Sequence, residues 1–180
     1  MNNLLKGLHV FQPKLFTDER GFFYESFNQE VFQKKIGSTV NFVQDNVSLS
    51  KKNVLRGLHL QQSPSEQGKL VKVVKGEIFD IAVDLRKGSD TFGHYSHIVL
   101  SEYNRKQFWI PPGFAHGFYT LSESAEVHYK VTNYYSPDSE ITIKWNDTDL
   151  NIKWPFSKLL HPIVSAKDDL GITLEDYRLL

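Results

Sequence analysis

Leu55-Arg56-Gly57-Leu58-His59-Leu60-Gln61, with Gln67-Gly68-Lys69 shortly after it, sets an arginine, a histidine and a lysine among residues that otherwise read as β-sheet core. From Gly68 the chain runs Lys69-Leu70-Val71-Lys72-Val73-Val74-Lys75, and strand alternation puts Lys69 on one face with Val71 and Val73. A lysine sharing a face with two valines either frays at a strand end or lies in a pocket. His59, upstream across a turn rich in Pro, Ser and Gly, favours the pocket. A hairpin there would set a neutral base and a fixed positive charge on one wall.

Upstream, Leu4 to Phe16 reads as a strand broken at Pro13, followed by a turn over Thr17 to Gly21 and an aromatic strand over Phe22 to Phe27. Asn28 can cap a short helix over Gln29 to Ile36, and Gly37 supplies its left-handed stop. In Asn41 to Ser50, Gln44, Asn46 and Ser48 share one face. A row of amides is ordinarily solvent-facing, but amides can also read an imide ring, because each offers a donor and an acceptor.

Downstream, Gly76 ends the strand that began at Lys69. Phe79, Ile81, Val83 and Leu85 then alternate with Asp80, Ala82 and Asp84, the pattern of a half-buried strand with its aspartates outward. Arg86 to Asp90 is a turn, His97 to Leu100 a strand, and Ser101 to Lys106 a polar connection. In Gln107 to Phe118, Pro111 and Pro112 exclude a helix, and His116 shares parity with Phe114 and Phe118. Over Ala125 to Tyr135 the odd positions form the inner face and carry the phenols of Tyr129 and Tyr135. Ile141 to Trp145 reads as a last long strand. Irregular wrapping follows, and a short C-terminal segment begins at Ser165.

About ten short strands with regular turns and one small helix indicate an all-β sandwich or barrel. The 180 residues fit one domain spanning 1–180, and 13 Phe, 8 Tyr and 3 Trp suit a broad β interior. Twenty-one basic and twenty-one acidic residues leave no basic field, so neither nucleic acid nor an anionic membrane is indicated as a partner. The absence of cysteine fits a reducing cytoplasm, and no apolar run approaches the ~18 residues of a membrane span.

His59, Lys69, His116 and Tyr129 hold inward parity on separate strands and include no nucleophile. His59 stands alone between Gly57 and Gln61, and His94 and His97 lie at opposite parity, so no metal is expected. Acid–base chemistry remains. A histidine can take a proton near neutral pH, a tyrosine can return one, and a lysine can stabilise an oxyanion. These are the groups needed for epimerisation or isomerisation next to a ketone.

Seven segments, Asp18 to Glu25, Gln44 to Asn46, Leu55 to His59, Gln67 to Val71, Ile110 to Phe118, Tyr129 to Tyr135 and Ser165 to Asp168, together resemble the dTDP-4-dehydrorhamnose 3,5-epimerase family. The resemblance covers nearly the whole chain. It implies an all-β, metal-free cupin-type jelly roll with a few short helices, no cofactor, and a cytoplasmic homodimer that exchanges N-terminal strands. The implied substrate is dTDP-4-dehydro-6-deoxy-D-glucose, inverted at C3 and C5 to dTDP-4-dehydro-L-rhamnose. His59 would be the base, Asp168 its orienting carboxylate, Tyr129 the acid on the opposite face and Lys69 the enolate-stabilising cation. His116 would line the same pocket. Arg20 and Glu25, with Phe16 nearby, would reach the nucleotide across the dimer. Gln44 and Asn46 would contact thymine or diphosphate, Arg56 the diphosphate, and Tyr135, Glu140 and Lys167 further parts of the substrate. Leu60 replaces a tyrosine common in the family, His128 reads as a surface residue, and Asp169 beside Asp168 leaves two carboxylates for His59. The alternatives are an epimerase acting at C5 or C3 alone, which would use the same residues, and a non-catalytic sugar-nucleotide-binding cupin. A metal-dependent cupin is the third.

Overall fold

A computed structural model describes residues 4–156 and 161–180. Its strands are β1 (His9–Phe11), β2 (Phe16–Asp18), β3 (Gly21–Phe23), β4 (Gln44–Lys51), β5 (Leu55–Gln61), β6 (Lys69–Lys75), β7 (Glu77–Asp84), β8 (Tyr95–Ser101), β9 (Gln107–Ile110), β10 (Phe114–Thr120), β11 (Ser124–Val131) and β12 (Glu140–Thr142). Two five-stranded antiparallel sheets face each other in the orders β1-β9-β6-β11-β4 and β12-β5-β10-β7-β8. This is a cupin-like jelly roll. A separate exposed hairpin pairs β2 with β3.

The space between the sheets is filled by Val71, Val73, Phe108, Ile110 and Val127 from one side and by Ile78, Ala82, Leu100, Phe114 and Phe118 from the other. Each sheet is also covered outside. Helix α1 (Gln29–Ile36) lays Phe32 on Leu70 and Trp109 of the first sheet. Burying a phenylalanine there contributes about 2–3 kcal/mol. The helix starts where the Asn28 side chain accepts from the Glu30 and Val31 N–H groups, and it stops at Gly37 with φ +72°. Both boundaries are those the sequence predicts.

The second sheet is covered by the chain after β12. Leu150, Trp154, Phe156, Leu174 and Tyr177 pack on Phe79, Ile81 and Val83. That cover corrects the reading of β7 as half-buried. Its odd face lies under the C-terminal segment and its even face lies inside the sandwich, so Asp80 and Asp84 are both fully buried. The last long strand is also shorter than expected. The strand ends at Thr142, and Ile143 exchanges hydrogen bonds with Leu58 and bridges Ile172. Helices α2 (Ala166–Asp169) and α3 (Leu174–Leu179) complete the wrap.

The amide row of β4 faces inward, and Val47 and Leu49 point outward at 61% and 65% exposure. Strand β4 is an edge strand, so this reversal of the usual polarity leaves an apolar rim on the first sheet. No helix among the described residues is long and apolar enough to cross a membrane.

Candidate active site

His59 and Lys69 do not sit on one hairpin. β5 belongs to the second sheet and β6 to the first, so the two residues approach across the interior. Lys69 is only 8% exposed, and its Nζ donates to the His59 carbonyl at 3.2 Å. Its remaining N–H donors are available to a ligand. Burial pushes the ammonium down to about 8, with the Glu140 and Asp80 charges opposing that fall. The positive charge is therefore titratable near neutrality, not fixed.

His59 is clamped from behind. Asp168 Oδ1 lies 2.7 Å from His59 Nε2, and Asp168 Oδ2 accepts the Gly57 N–H at 3.0 Å. A carboxylate only accepts, so Nε2 carries the ring proton and Nδ1 keeps its lone pair. Asp168 is held on α2, whose N-cap Ser165 accepts the Asp168 N–H. Burial raises the Asp168 carboxyl, but its bonds to His59, Gly57 and Ser165 outweigh that and hold it below the ordinary carboxylate range. Asp169 is exposed, so the carboxylate beside His59 is Asp168.

Across the cavity Tyr129 projects from β11, beside Asn46 in the β4–β11 register. Burial raises its phenol, the Arg56 charge lowers it and Glu140 raises it, with a net upward shift. Its hydroxyl has no hydrogen-bond partner among the described residues. His59, Lys69 and Tyr129 line one open cavity of about 220 Å³ together with Gln44, Asn46, Tyr135 and Glu140. Tyr135 stands beyond the end of β11, not on the strand, and its hydroxyl donates to Glu140. Glu140 also takes a hydrogen bond from Lys167. Burial pushes the Glu140 carboxyl up, but these bonds prevail and lower it. Arg56 is exposed and donates from Nε to Ser50 Oγ at 2.9 Å.

Several predicted site residues do not line this cavity within one chain. Phe16, Arg20 and Glu25 lie on or after the exposed β2–β3 hairpin and line other clefts. Arg20 instead pairs with Asp18. His116 is not a cavity-lining residue. It is 7% exposed, opposite His59 in the β5–β10 register, and its Nε2 lies 3.0 and 3.2 Å from the two Asp80 oxygens. The sequence reading missed Gln61 and Gln67, which line the cavity, and Asp80. Gln61 shares parity with His59, and that signal was present. Among the described residues no three His, Asp or Glu side chains converge as a metal site requires.

A jelly roll that sets a carboxylate-held imidazole on one sheet against a buried ammonium and a phenol on adjacent strands of the facing sheet defines a cupin-type enzyme of acid–base chemistry. The family model for dTDP-4-dehydrorhamnose 3,5-epimerase matches residues 2–176. The chain belongs to that family. It is 60% identical to the dTDP-4-dehydrorhamnose 3,5-epimerase of Salmonella typhimurium over 159 residues, covering 88% of this chain and 86% of that protein. A Legionella pneumophila dTDP-6-deoxy-D-glucose-3,5-epimerase, solved with dTDP-4-keto-L-rhamnose, superposes with a TM-score of 0.92 at 50% identity. That match covers 97% of this chain and 92% of the other. A 3'-monoepimerase from Streptomyces bikiniensis, solved with dTDP-quinovose, matches at 30% identity and a TM-score of 0.90, covering 98% of this chain and 89% of that one.

Proposed function

We propose that this chain inverts C3 and C5 of dTDP-4-dehydro-6-deoxy-D-glucose, giving dTDP-4-dehydro-L-rhamnose. Both carbons flank the C4 ketone, so the proton on each is acidified by the same carbonyl. His59 Nδ1 takes that proton, and the electron pair moves onto the C4 oxygen. The Lys69 ammonium stabilises the resulting enolate, and Asp168 stabilises the imidazolium. Tyr129 then delivers a proton to the opposite face, and the Arg56 charge offsets its phenolate. The observation that carries this reading is the 2.7 Å contact between His59 Nε2 and Asp168, which leaves Nδ1 free as the base.

Gln44, Asn46, Tyr135, Glu140, Lys167 and Arg56 bind the nucleotide and diphosphate around that cavity. Arg56 can present a planar two-donor fork to the diphosphate. Phe16, Arg20 and Glu25 act in the cavity of a second copy. The exposed Phe16, Phe22 and Phe23 of the hairpin and Val47 and Leu49 of β4 support a homodimer, because apolar surface of this extent marks an interface. The working unit is then a cytoplasmic homodimer of one-domain chains.

The test is incubation with dTDP-4-dehydro-6-deoxy-D-glucose in deuterated water, followed by NMR of the C3 and C5 protons. Exchange at both carbons, with dTDP-L-rhamnose formed once a 4-keto reductase and its nicotinamide cofactor are added, is the expected result. Exchange at one carbon makes the chain a single-site epimerase. Nucleotide binding without exchange overturns the catalytic reading.

A further inference from the structure

Behind the cavity lies a buried acid that the chemistry above does not use. Asp80 is fully buried on the even face of β7, between Ile78 and Ala82, both of which point into the space between the sheets. Lys69 enters the same space from β6, on the face it shares with Val71 and Val73. Among the described residues, Asp80 accepts from one side chain, His116 through a single ring nitrogen, and from the Ile81 backbone N–H. A lone carboxylate at such a depth is strongly disfavoured unless a cation compensates it.

We infer that Asp80 is the buried counter-charge of Lys69, a positioning residue that keeps the lysine an ammonium while His116 fixes the carboxylate from the other side. In this arrangement His116 donates from Nε2 to the carboxylate, and the Asp80 and Lys69 charges oppose one another. That balance is what allows an ammonium to persist where water is excluded. Burial raises the Asp80 carboxyl while His116 and Lys69 pull it down, and the Asp80 charge in turn raises Lys69. Glu140 on β12 and Asp80 favour the Lys69 charge, Lys167 on α2 opposes it, and His59, His116 and Tyr129 face it from β5, β10 and β11. Glu140 is engaged by Lys167 and Tyr135 at the mouth, whereas Asp80 is the fully buried anion of the pair.

The inference draws on the proposed role of Lys69 only for its catalytic consequence, because the charge can be read without substrate. Lysine side chains labelled at Cε would be titrated by NMR in the whole protein, with the Lys69 signal assigned by its absence in Lys69→Met. In Asp80→Asn the Lys69 midpoint is expected to fall by roughly one pH unit or more relative to wild type. His116→Gln, which keeps an N–H donor for the carboxylate, is expected to leave that midpoint in place. An unchanged midpoint in Asp80→Asn overturns the inference and makes Asp80 a neutral acid. Asp80→Ser provides the same comparison if the asparagine variant does not fold. The high-pH limb of kcat/KM should move down with the midpoint. A shifted midpoint with an unmoved limb would leave the charge pair standing and remove Lys69 from the chemistry.

Discussion

Asp168 binds His59 and Gly57 at once, one carboxylate oxygen on the imidazole Nε2 at 2.7 Å and the other on the Gly57 N–H at 3.0 Å. The second contact determines what a substitution does to the first. In Asp168→Asn the backbone N–H still demands an oxygen, so the amide turns its NH2 toward His59. The imidazole must then accept at Nε2 and carry its proton on Nδ1, which is no longer a base. The expected loss in kcat is about 10³–10⁴-fold, the scale of a wrong-tautomer histidine, with nucleotide affinity and thermal midpoint nearly unchanged. Near wild-type turnover would remove Asp168 from the mechanism.

Gly57 is constrained from two directions. Its φ is +115°, and a Cβ there would lie 2.6 Å from Gly117 Cα and 2.7 Å from the His116 carbonyl oxygen. Neither contact is a flexible side chain, so β5 and β10 would have to separate. Gly57→Ala should destabilise the fold by about 2–4 kcal/mol, combining backbone strain with overpacking. It should also loosen the grip on Asp168. Urea unfolding measures the first effect, and a midpoint equal to wild type would refute the close approach.

Tyr129→Phe separates two steps that turnover alone merges. Removing the hydroxyl leaves His59, Asp168 and Lys69 in place, so proton abstraction persists while return from the opposite face fails. The variant should exchange solvent deuterium at a substantial fraction of the wild-type rate and form epimer about 10²–10⁴-fold more slowly. Equal losses in both would place Tyr129 outside the return step.

Local chemistry was the part of this molecule most legible in the sequence. The Asn28 cap and the Gly37 stop bound α1 because both act within a few residues. Parity placed Lys69 and Tyr129 inward because each strand has one face toward the interior. Pairing was not legible. β5 and β6 are neighbours in sequence and belong to different sheets, a fact settled by contacts with β10, β11 and β12. The role of Asp80 was hidden for a related reason. Alternation marked the odd face of β7 as buried, but that face lies under Trp154, Leu174 and Tyr177 while the even face is buried by the facing sheet, so the aspartates lie inside. Tyr135 matched strand parity yet sits past the strand end, tied to the cavity by its bonds to Glu140 and Gln44.

Arg20 tests the dimeric reading. It is 85% exposed on the β2–β3 hairpin and pairs with Asp18 within its own chain. Losing a surface pair of this kind has little effect on stability, so a large effect of Arg20→Ala must come from a ligand or a second copy. The expectation is a rise in KM of about tenfold or more, corresponding to a lost charged hydrogen bond, with kcat within a few-fold of wild type. Wild-type KM, or a monomeric wild-type protein in sedimentation, would refute a shared site.

Lys69 links stability and activity through one proton. Burial holds its folded value at about 8, below the ordinary 10.5. Between those values the unfolded chain still holds a proton that the folded chain has released, so stability rises with pH across that window. Below pH 8 the full penalty of burying the charge is present, about 3 kcal/mol. Activity runs the other way, because only the ammonium stabilises the enolate. kcat/KM should therefore fall tenfold per pH unit above about 8, while the folded state becomes more stable. Other titrating groups contribute to the absolute curve, so the measurement is the difference between wild type and Lys69→Met in urea midpoint from pH 7 to 10.5. That difference should shift in favour of wild type as pH rises. A difference independent of pH would show that Lys69 keeps its ordinary titration and that its charge is not buried.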